Sequence, residues 1–166
     1  MDHLAENNGG IFVNDRLADI CTIRNKGKQF VLVKPTTYMN LSGKAVLYWM
    51  NELKIPKENV LVVLDDIAIP FGTLRVRSKG SDGGHNGLRS IHESLGTTEY
   101  PRLRFGIGNN YPRGMQAEYV LGKWHKEDEA IVELKIGKAV EVIETFAVAG
   151  ITTAMNQVNN KEFSID

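Results

Sequence analysis

Residues 60–66 read VLVVLDD, and this stretch decides the fold class. An unbroken apolar run of this length predicts a strand buried on both faces, as in a mostly parallel sheet. Strand patterns and helix patterns alternate on either side of it. We therefore predict an α/β fold, a single three-layer domain with a mixed, mostly parallel sheet between helices.

The flanking segments supply the other elements. Residues 16–24 and 29–33 are rich in apolar and β-branched side chains and are separated by the turn 25–28, which predicts a β-hairpin. Apolar residues at three- and four-residue spacing predict a helix over 45–53 and a long amphipathic helix from about Lys126. Residues 1–166 are expected to form one domain.

Composition places the chain among soluble globular proteins. Of its 166 residues, 42% are hydrophobic and 24% are charged. Twenty Lys plus Arg balance twenty Asp plus Glu, which excludes a polycation that coats nucleic acid. No apolar run approaches the ~20 residues that cross a bilayer, and the single Cys21 excludes an internal disulfide. We expect a cytoplasmic protein with no membrane association.

Two aspartates, Asp65 and Asp66, directly follow the predicted strand. Ligands of open α/β sheets bind outside the carboxyl ends of strands, so both should lie at such a crevice. A carboxylate there can orient a histidine or hold a metal. The alternative is a pair of turn aspartates that accept hydrogen bonds from backbone N–H groups.

Two asparagines precede predicted helices: Asn40, and Asn86 in the glycine-rich loop 80–87. N-capping is the ordinary interpretation. Ligand binding is the other, because a helix N-terminus offers free N–H groups and a positive dipole end to phosphate or to a carbonyl oxygen gaining charge. The loop matches neither the P-loop nor the dinucleotide fingerprint, so no nucleotide cofactor is indicated.

Further candidates surround these residues. Tyr38 can stack on a base or ribose, or pack in the interior. His85 is the histidine that lies in the glycine-rich loop, and no two histidines have metal-ligand spacing with a carboxylate. Basic residues form a local patch suited to a few phosphates, or a solvated strand face. These residues are Arg75, Arg77, Lys79, Arg89, Arg102 and Arg104.

Five blocks spread over nearly the whole chain carry a family resemblance. They are KPTTYMNLSGKAV (34–46), VVLDDIAIPFGTLRVR (62–77), GSDGGHNGLRSI (80–91), YPRLRFGIG (100–108) and YVLGKW (119–124). In content and order they resemble bacterial-type peptidyl-tRNA hydrolase. The resemblance implies hydrolysis of the ester between a peptide and the 3′ ribose of tRNA, which recycles tRNA from stalled translation. It also implies no cofactor and a mixed sheet between helices.

The resemblance also implies residue roles. Asp65 matches the aspartate that orients the catalytic histidine, and Asn40 and Asn86 match asparagines that bind substrate near the scissile ester. Tyr38 and His85 match positions that line the same cleft. The positions matched to tRNA phosphate contacts are Arg75, Arg77 and Arg102 or Arg104.

The family's Gly-Leu-Gly-Asn-Pro-Gly loop and its Thr-Arg-His-Asn segment, which carries the general base, have no match here. The start, MDHLAEN, resembles the helix after that histidine, so His3 is not its equivalent. We expect residues 1–166 to be an N-terminally incomplete hydrolase-like domain, through a misplaced start codon or deliberate shortening. The alternatives are a tRNA-binding module without catalysis and a generic α/β phosphate-binding protein. Peptidyl-tRNA, through its acceptor end, is the expected partner of a monomer that needs no metal.

Overall fold

The computed structural model describes residues 1–163, and within them the chain forms six strands and five α-helices. The strands are β1 (Val13–Asp15), β2 (Ala18–Asn25), β3 (Lys28–Pro35), β4 (Val62–Asp66), β5 (Leu74–Arg77) and β6 (Arg102–Gly106). The helices are α1 (Asp2–Glu6), α2 (Ser42–Leu53), α3 (Asn86–Leu95), α4 (Gln116–Leu121) and α5 (Glu129–Val158).

The strands form two three-stranded sheets, ordered β1-β2-β3 and β4-β6-β5. The first sheet is antiparallel throughout. In the second, β6 runs parallel to β4 and antiparallel to β5. The predicted mixed α/β domain is confirmed. The expectations of one sheet and of mostly parallel pairing are wrong, because the described strands form two sheets and β4–β6 is the only parallel pair among them.

The predicted hairpin is β2 with β3, and its turn explains the register. Lys26 and Gly27 both have positive φ, 49° and 75°. A two-residue turn of this kind matches the right-handed twist of the flanking strands and favours glycine. Asn25 consequently pairs with Lys28, and the eight-residue ladder follows from there.

Strand β4 is less buried than its apolar run predicts. It lies at the edge of its sheet, and all five of its residues are half-buried. Leu64 packs beside Leu88 of α3, whereas Val63 packs against the main core on the opposite face. Since side chains alternate along a strand, Asp66 shares the α3 face with Leu64, and Asp65 shares the core face with Val63.

The main core joins the hairpin, the second sheet, α1 and α5. Its fully buried side chains include Leu4, Cys21, Val76, Leu103, Val142 and Val158. Helix α5 bends at Gly150, where φ is 82° and ψ is 177°. No helix within residues 1–163 is both long enough and apolar enough to cross a membrane.

The outer edge of β5 is covered by a side chain from the far end of the chain. Asn159, the residue after α5, accepts a hydrogen bond from the Val76 N–H at 2.8 Å and donates its amide N–H to the Val76 carbonyl at 2.9 Å. These are the two bonds that a neighbouring strand would make with this residue. Asn159 thus fixes the strand that carries Arg75 and Arg77.

Candidate active site

The N-terminal ends of α2 and α3 are held side by side by two close glycine contacts. The Gly43 N–H donates to the Ser90 hydroxyl at 3.0 Å, and a Cβ at Gly43 would overlap the Ser90 carbonyl and the Ser94 hydroxyl. At Gly87, a Cβ would lie 2.7 Å from the sulfur of Met39. The segment before α2 therefore lies directly against the first turn of α3.

These contacts bring Asn40 and Asn86 onto adjoining segments. Both residues are exposed, and neither side chain makes a hydrogen bond within residues 1–163. The capping interpretation is wrong for both, because Asn40 lies inside the 3₁₀ turn Met39–Leu41 and Asn86 is already the first residue of α3. Two amide side chains are thus available to a ligand at neighbouring helix N-termini.

His85 is the residue that caps α3. Its Nδ1 accepts hydrogen bonds from the backbone N–H groups of Gly87 and Leu88, at 3.1 and 3.2 Å. A backbone N–H can only donate, so Nδ1 carries no proton, and the neutral ring holds its proton on Nε2. While the cap is formed, Nε2 of His85 is a hydrogen-bond donor and cannot take a proton from water.

The loop before His85 depends on its glycines. Gly83 and Gly84 have φ of 57° and 84°, which side chains other than glycine adopt at a cost. Asp82 accepts a hydrogen bond from the Gly84 N–H at 2.7 Å, and this bond lowers the pKa of the Asp82 carboxyl. The His85 N–H donates to the Asp82 carbonyl at 2.9 Å. Asp82 is therefore a turn residue.

The two aspartates after the apolar run have different roles. Asp66 accepts from the Ala68 N–H at 2.8 Å and from the Arg104 guanidinium at 3.2 Å, so the turn interpretation applies to Asp66. Asp65 is half-buried on the other face of β4 and makes no side-chain hydrogen bond within residues 1–163. The free carboxylate at this strand end is that of Asp65.

Within residues 1–163, no histidine makes a hydrogen bond to the Asp65 carboxylate. His3, on α1, and His125 are exposed. His92 packs edge-on against Tyr100 with ring centroids 5.5 Å apart, and burial lowers the pKa of its imidazole. No cluster of three His, Cys, Asp or Glu residues within 1–163 is arranged to hold a metal ion.

The segment after β6 contributes aromatic residues to which the sequence argument assigned no role. Trp124 is 46% exposed, and its ring centroid lies 5.9 Å from that of Phe71 and 6.3 Å from that of Phe105. Phe105 is the register partner of Asp65. The signal was present in the block YVLGKW (119–124), which carries an aromatic residue at each end, Tyr119 and Trp124.

Tyr38 is 82% exposed, so the interpretation of a packed interior aromatic is wrong. Its neighbour Met39 is 56% exposed while reaching Gly87 with its sulfur. An open aromatic face therefore stands beside the two asparagines.

The basic residues divide into two groups. Arg75 and Arg77 are exposed and alternate with buried residues of β5, as the pattern predicted, and Lys79 is exposed beyond the strand end. Arg102 is 0% exposed and donates only to backbone carbonyls among the described residues, so its assignment to tRNA phosphates is wrong. Arg104, with a side chain 17% exposed, pairs with Asp66.

Comparison with known proteins gives one answer along the whole chain. The family model for peptidyl-tRNA hydrolase matches residues 1–165. Over 161 residues the chain is 51% identical to a peptidyl-tRNA hydrolase of Phocaeicola vulgatus, covering 97% of this chain and 86% of that protein. The corresponding protein of Porphyromonas gingivalis is 49% identical over 156 residues, covering 94% of this chain and 84% of that protein.

Solved structures agree with the sequence relatives. A crystal structure of peptidyl-tRNA hydrolase from Acinetobacter baumannii matches with a TM-score of 0.88 at 29% identity, covering 97% of this chain and 83% of that chain. A crystal structure of a peptidyl-tRNA hydrolase complex with N-propanol matches with a TM-score of 0.89 at 28% identity, covering 98% of this chain and 84% of that chain. These relatives are named as hydrolases, so a binding module without catalysis is not favoured. From its sequence blocks, its fold and these matches, this chain belongs to the peptidyl-tRNA hydrolase family.

Proposed function

We propose that this protein hydrolyses the ester bond between a peptide, or an N-blocked amino acid, and the 3′ ribose of tRNA, and so recycles tRNA from stalled translation. The observation that carries the proposal is the pair of unpartnered amides, Asn40 and Asn86, on adjoining segments at two helix N-termini. The acceptor end of peptidyl-tRNA is the part of the substrate that this site binds.

The asparagines act on the ester itself. The amide groups of Asn40 and Asn86 donate hydrogen bonds to the substrate carbonyl and its neighbours. The positive end of the α3 dipole lies beside them, although the Gly87 and Leu88 N–H groups themselves are bonded to His85. Donors placed where negative charge develops stabilise the tetrahedral intermediate of an acyl transfer. His85 supports this arrangement, because its Nε2–H is a further donor while Nδ1 caps the helix.

Asp65 acts on the base that activates water. A carboxylate hydrogen-bonded to imidazole fixes its tautomer and stabilises the cation that forms when the ring takes a proton. Asp65 has no other hydrogen-bond partner within residues 1–163, which leaves its carboxylate available for this role. We do not assign the role of base to His85, because its Nδ1 accepts the two bonds of the helix cap. A general base contributes ~10²–10⁴-fold to the rate.

The remaining exposed residues bind the tRNA. Arg75 and Arg77 lie on the exposed face of β5, and Lys79 lies beyond the strand. These cations contact tRNA phosphates, which positions the tRNA backbone without reading its bases. Tyr38 stacks on a base or ribose at the acceptor end.

The experiment compares Asp65→Asn with Asp66→Asn in release of an N-blocked amino acid from tRNA and in affinity for deacylated tRNA. Asp65→Asn should sharply reduce hydrolysis with tRNA affinity and thermal stability unchanged, because its role is concentrated in the transition state. Asp66→Asn should mainly lower stability, since Asp66 holds Ala68 and Arg104. Hydrolysis by Asp65→Asn at the parent rate would remove Asp65 from the mechanism.

We also propose that residues 1–166 fold as one domain and act as a monomer in the cytoplasm, without a metal. Light scattering at the assay concentration should give the mass of one chain, and a chelator should leave hydrolysis unchanged. A dimer mass or a chelator-sensitive rate would contradict the corresponding part of this proposal.

A further inference from the structure

Arg102 is the largest fully buried side chain among the described residues, and it carries a charge. No carboxylate accepts a hydrogen bond from it within residues 1–163. Its guanidinium instead lies over the ring of Tyr100, 4.2 Å from the centroid, and burial lowers the pKa of the guanidinium. Burying an unpaired charge is costly unless its donors are satisfied, so the carbonyls that satisfy it are fixed in return.

Those carbonyls belong to the two segments that flank α3. One terminal nitrogen donates to the Gly80 carbonyl at 2.8 Å, and the other donates to the Thr98 carbonyl at 2.6 Å. The Gly80 N–H also donates to the Thr98 carbonyl, at 3.3 Å. Arg102 therefore joins the start of the glycine-rich loop to the segment that follows α3.

The loop needs a restraint of this kind. Gly80, Gly83 and Gly84 all have positive φ, and each glycine leaves the unfolded chain unusually many conformations. Asp82 restrains the loop only locally, through its own turn. Besides the Gly80–Thr98 backbone bond, side chains of two β6 arginines restrain the loop from outside: Arg102 at Gly80, and Arg104 at the Ser81 carbonyl at 3.0 Å.

We propose that Arg102 is a positioning residue of the hydrolytic site, which holds the loop 80–85 by its backbone carbonyls and thereby places His85 and Asn86. The inference rests on the proposed function, since placing Asn86 matters to catalysis only if that amide binds the ester. Arg102 touches no substrate, and its effect passes through the loop. Arginine is required because a planar fork bridges Gly80 and Thr98 while stacking on Tyr100, which an ammonium group cannot do.

The test compares Arg102→Lys with the matched control Arg24→Lys, which changes an exposed arginine of β2 in the same way. Amide hydrogen exchange is measured at Gly84, Gly87 and Leu88, and at the hairpin residues 21 and 32 as an internal reference. In Arg102→Lys we expect the three loop and helix amides to exchange on the order of tenfold faster, with the hairpin amides unchanged. The control should match the parent at every position.

Kinetics supply the second readout. Arg102→Lys should lower kcat for N-blocked aminoacyl-tRNA, by as much as ~10²-fold if the amide of Asn86 shifts by an ångström, while affinity for deacylated tRNA stays the same. Any of three results would overturn the proposal. The loop amides exchange at the parental rate, or the loop and hairpin amides are accelerated equally, or the loop amides exchange faster while kcat stays at the parental value. If the parent protein itself shows no hydrolysis, the proposed function fails, and hydrogen exchange still decides whether Arg102 holds the loop.

A measurement on the parent protein covers the case in which Arg102→Lys does not fold. With both terminal nitrogens bound to carbonyls, rotation of the guanidinium is blocked, and NMR should resolve separate, exchange-protected Nη–H signals for Arg102. A single averaged signal at room temperature would show that the guanidinium is not held, and would overturn the proposal.

Discussion

Replacing Gly43 by alanine tests whether the close approach of α2 and α3 builds the site. The added methyl group would overlap the Ser90 carbonyl and the Ser94 hydroxyl, so the helices must separate by ~1 Å to restore ordinary carbon–oxygen contact. Separation also weakens the bond from the Gly43 N–H to the Ser90 hydroxyl, now 3.0 Å. The effect therefore falls on both stability and the spacing of the two asparagines.

The size of the effect follows from three contributions. Overpacking costs about 1–3 kcal/mol, and the weakened hydrogen bond adds up to about 1 kcal/mol. Replacing glycine by alanine within a helix raises the free energy of unfolding by about 1 kcal/mol, which offsets part of this loss. The net loss lies between about 0 and about 3 kcal/mol, which lowers Tm by up to roughly 12 °C for a domain of this size.

The assay measures Tm and hydrolysis for Gly43→Ala beside Gly137→Ala. Gly137 lies in α5 with no atom within 4 Å of the position of a Cβ, so alanine there should stabilise the protein. Gly43→Ala should lower Tm and, at temperatures where it is folded, lower hydrolysis by up to ~10²-fold. A rise in Tm for Gly43→Ala as large as the rise for Gly137→Ala would refute the argument that the contact sets the helix spacing.

Two further predictions use other parts of the molecule. Changing Arg75, Arg77 and Lys79 to alanine should weaken binding of all tRNAs alike and flatten the salt dependence of binding; loss of affinity for one tRNA and not another would show base reading instead. Burial raises the pKa of Tyr100 to about 12, so the folded state keeps a proton that the unfolded state releases above pH ~10, and stability should fall as pH rises from there to about 12. Tyr100→Phe should remove that part of the pH dependence in denaturant titrations, and an unchanged alkaline slope would contradict it.

The sequence predicted those elements that depend mainly on residues close together in the chain. The hairpin follows from a turn of Lys26 and Gly27 between two strand-forming runs, and the structure confirms it. The helices that begin near residues 42 and 86 follow from apolar spacing and are likewise confirmed. Helix α4 was missed because six residues are too few for an apolar spacing pattern to stand out, and all six are partly or fully exposed.

Long-range partners decided the points that the sequence left open. Asp65 and Asp66 are identical residues in adjacent positions, and what separates them is Arg104, which lies on another strand. Arg102 and Arg75 both occur in alternating strand patterns, yet one is buried and the other exposed. The carbonyls that accept from Arg102 lie in loops whose positions depend on the complete fold.

The bond pair between Asn159 and Val76 has a consequence for the order of synthesis. A ribosome makes β5 early, but the side chain that covers its outer edge comes 83 residues later. Until then the main-chain groups of Val76 are open to pairing with a strand of another nascent chain, which is how edge strands start aggregates. The edge of β5 is therefore covered only near the end of synthesis. A chain that is cut short before residue 159 would keep this strand edge exposed.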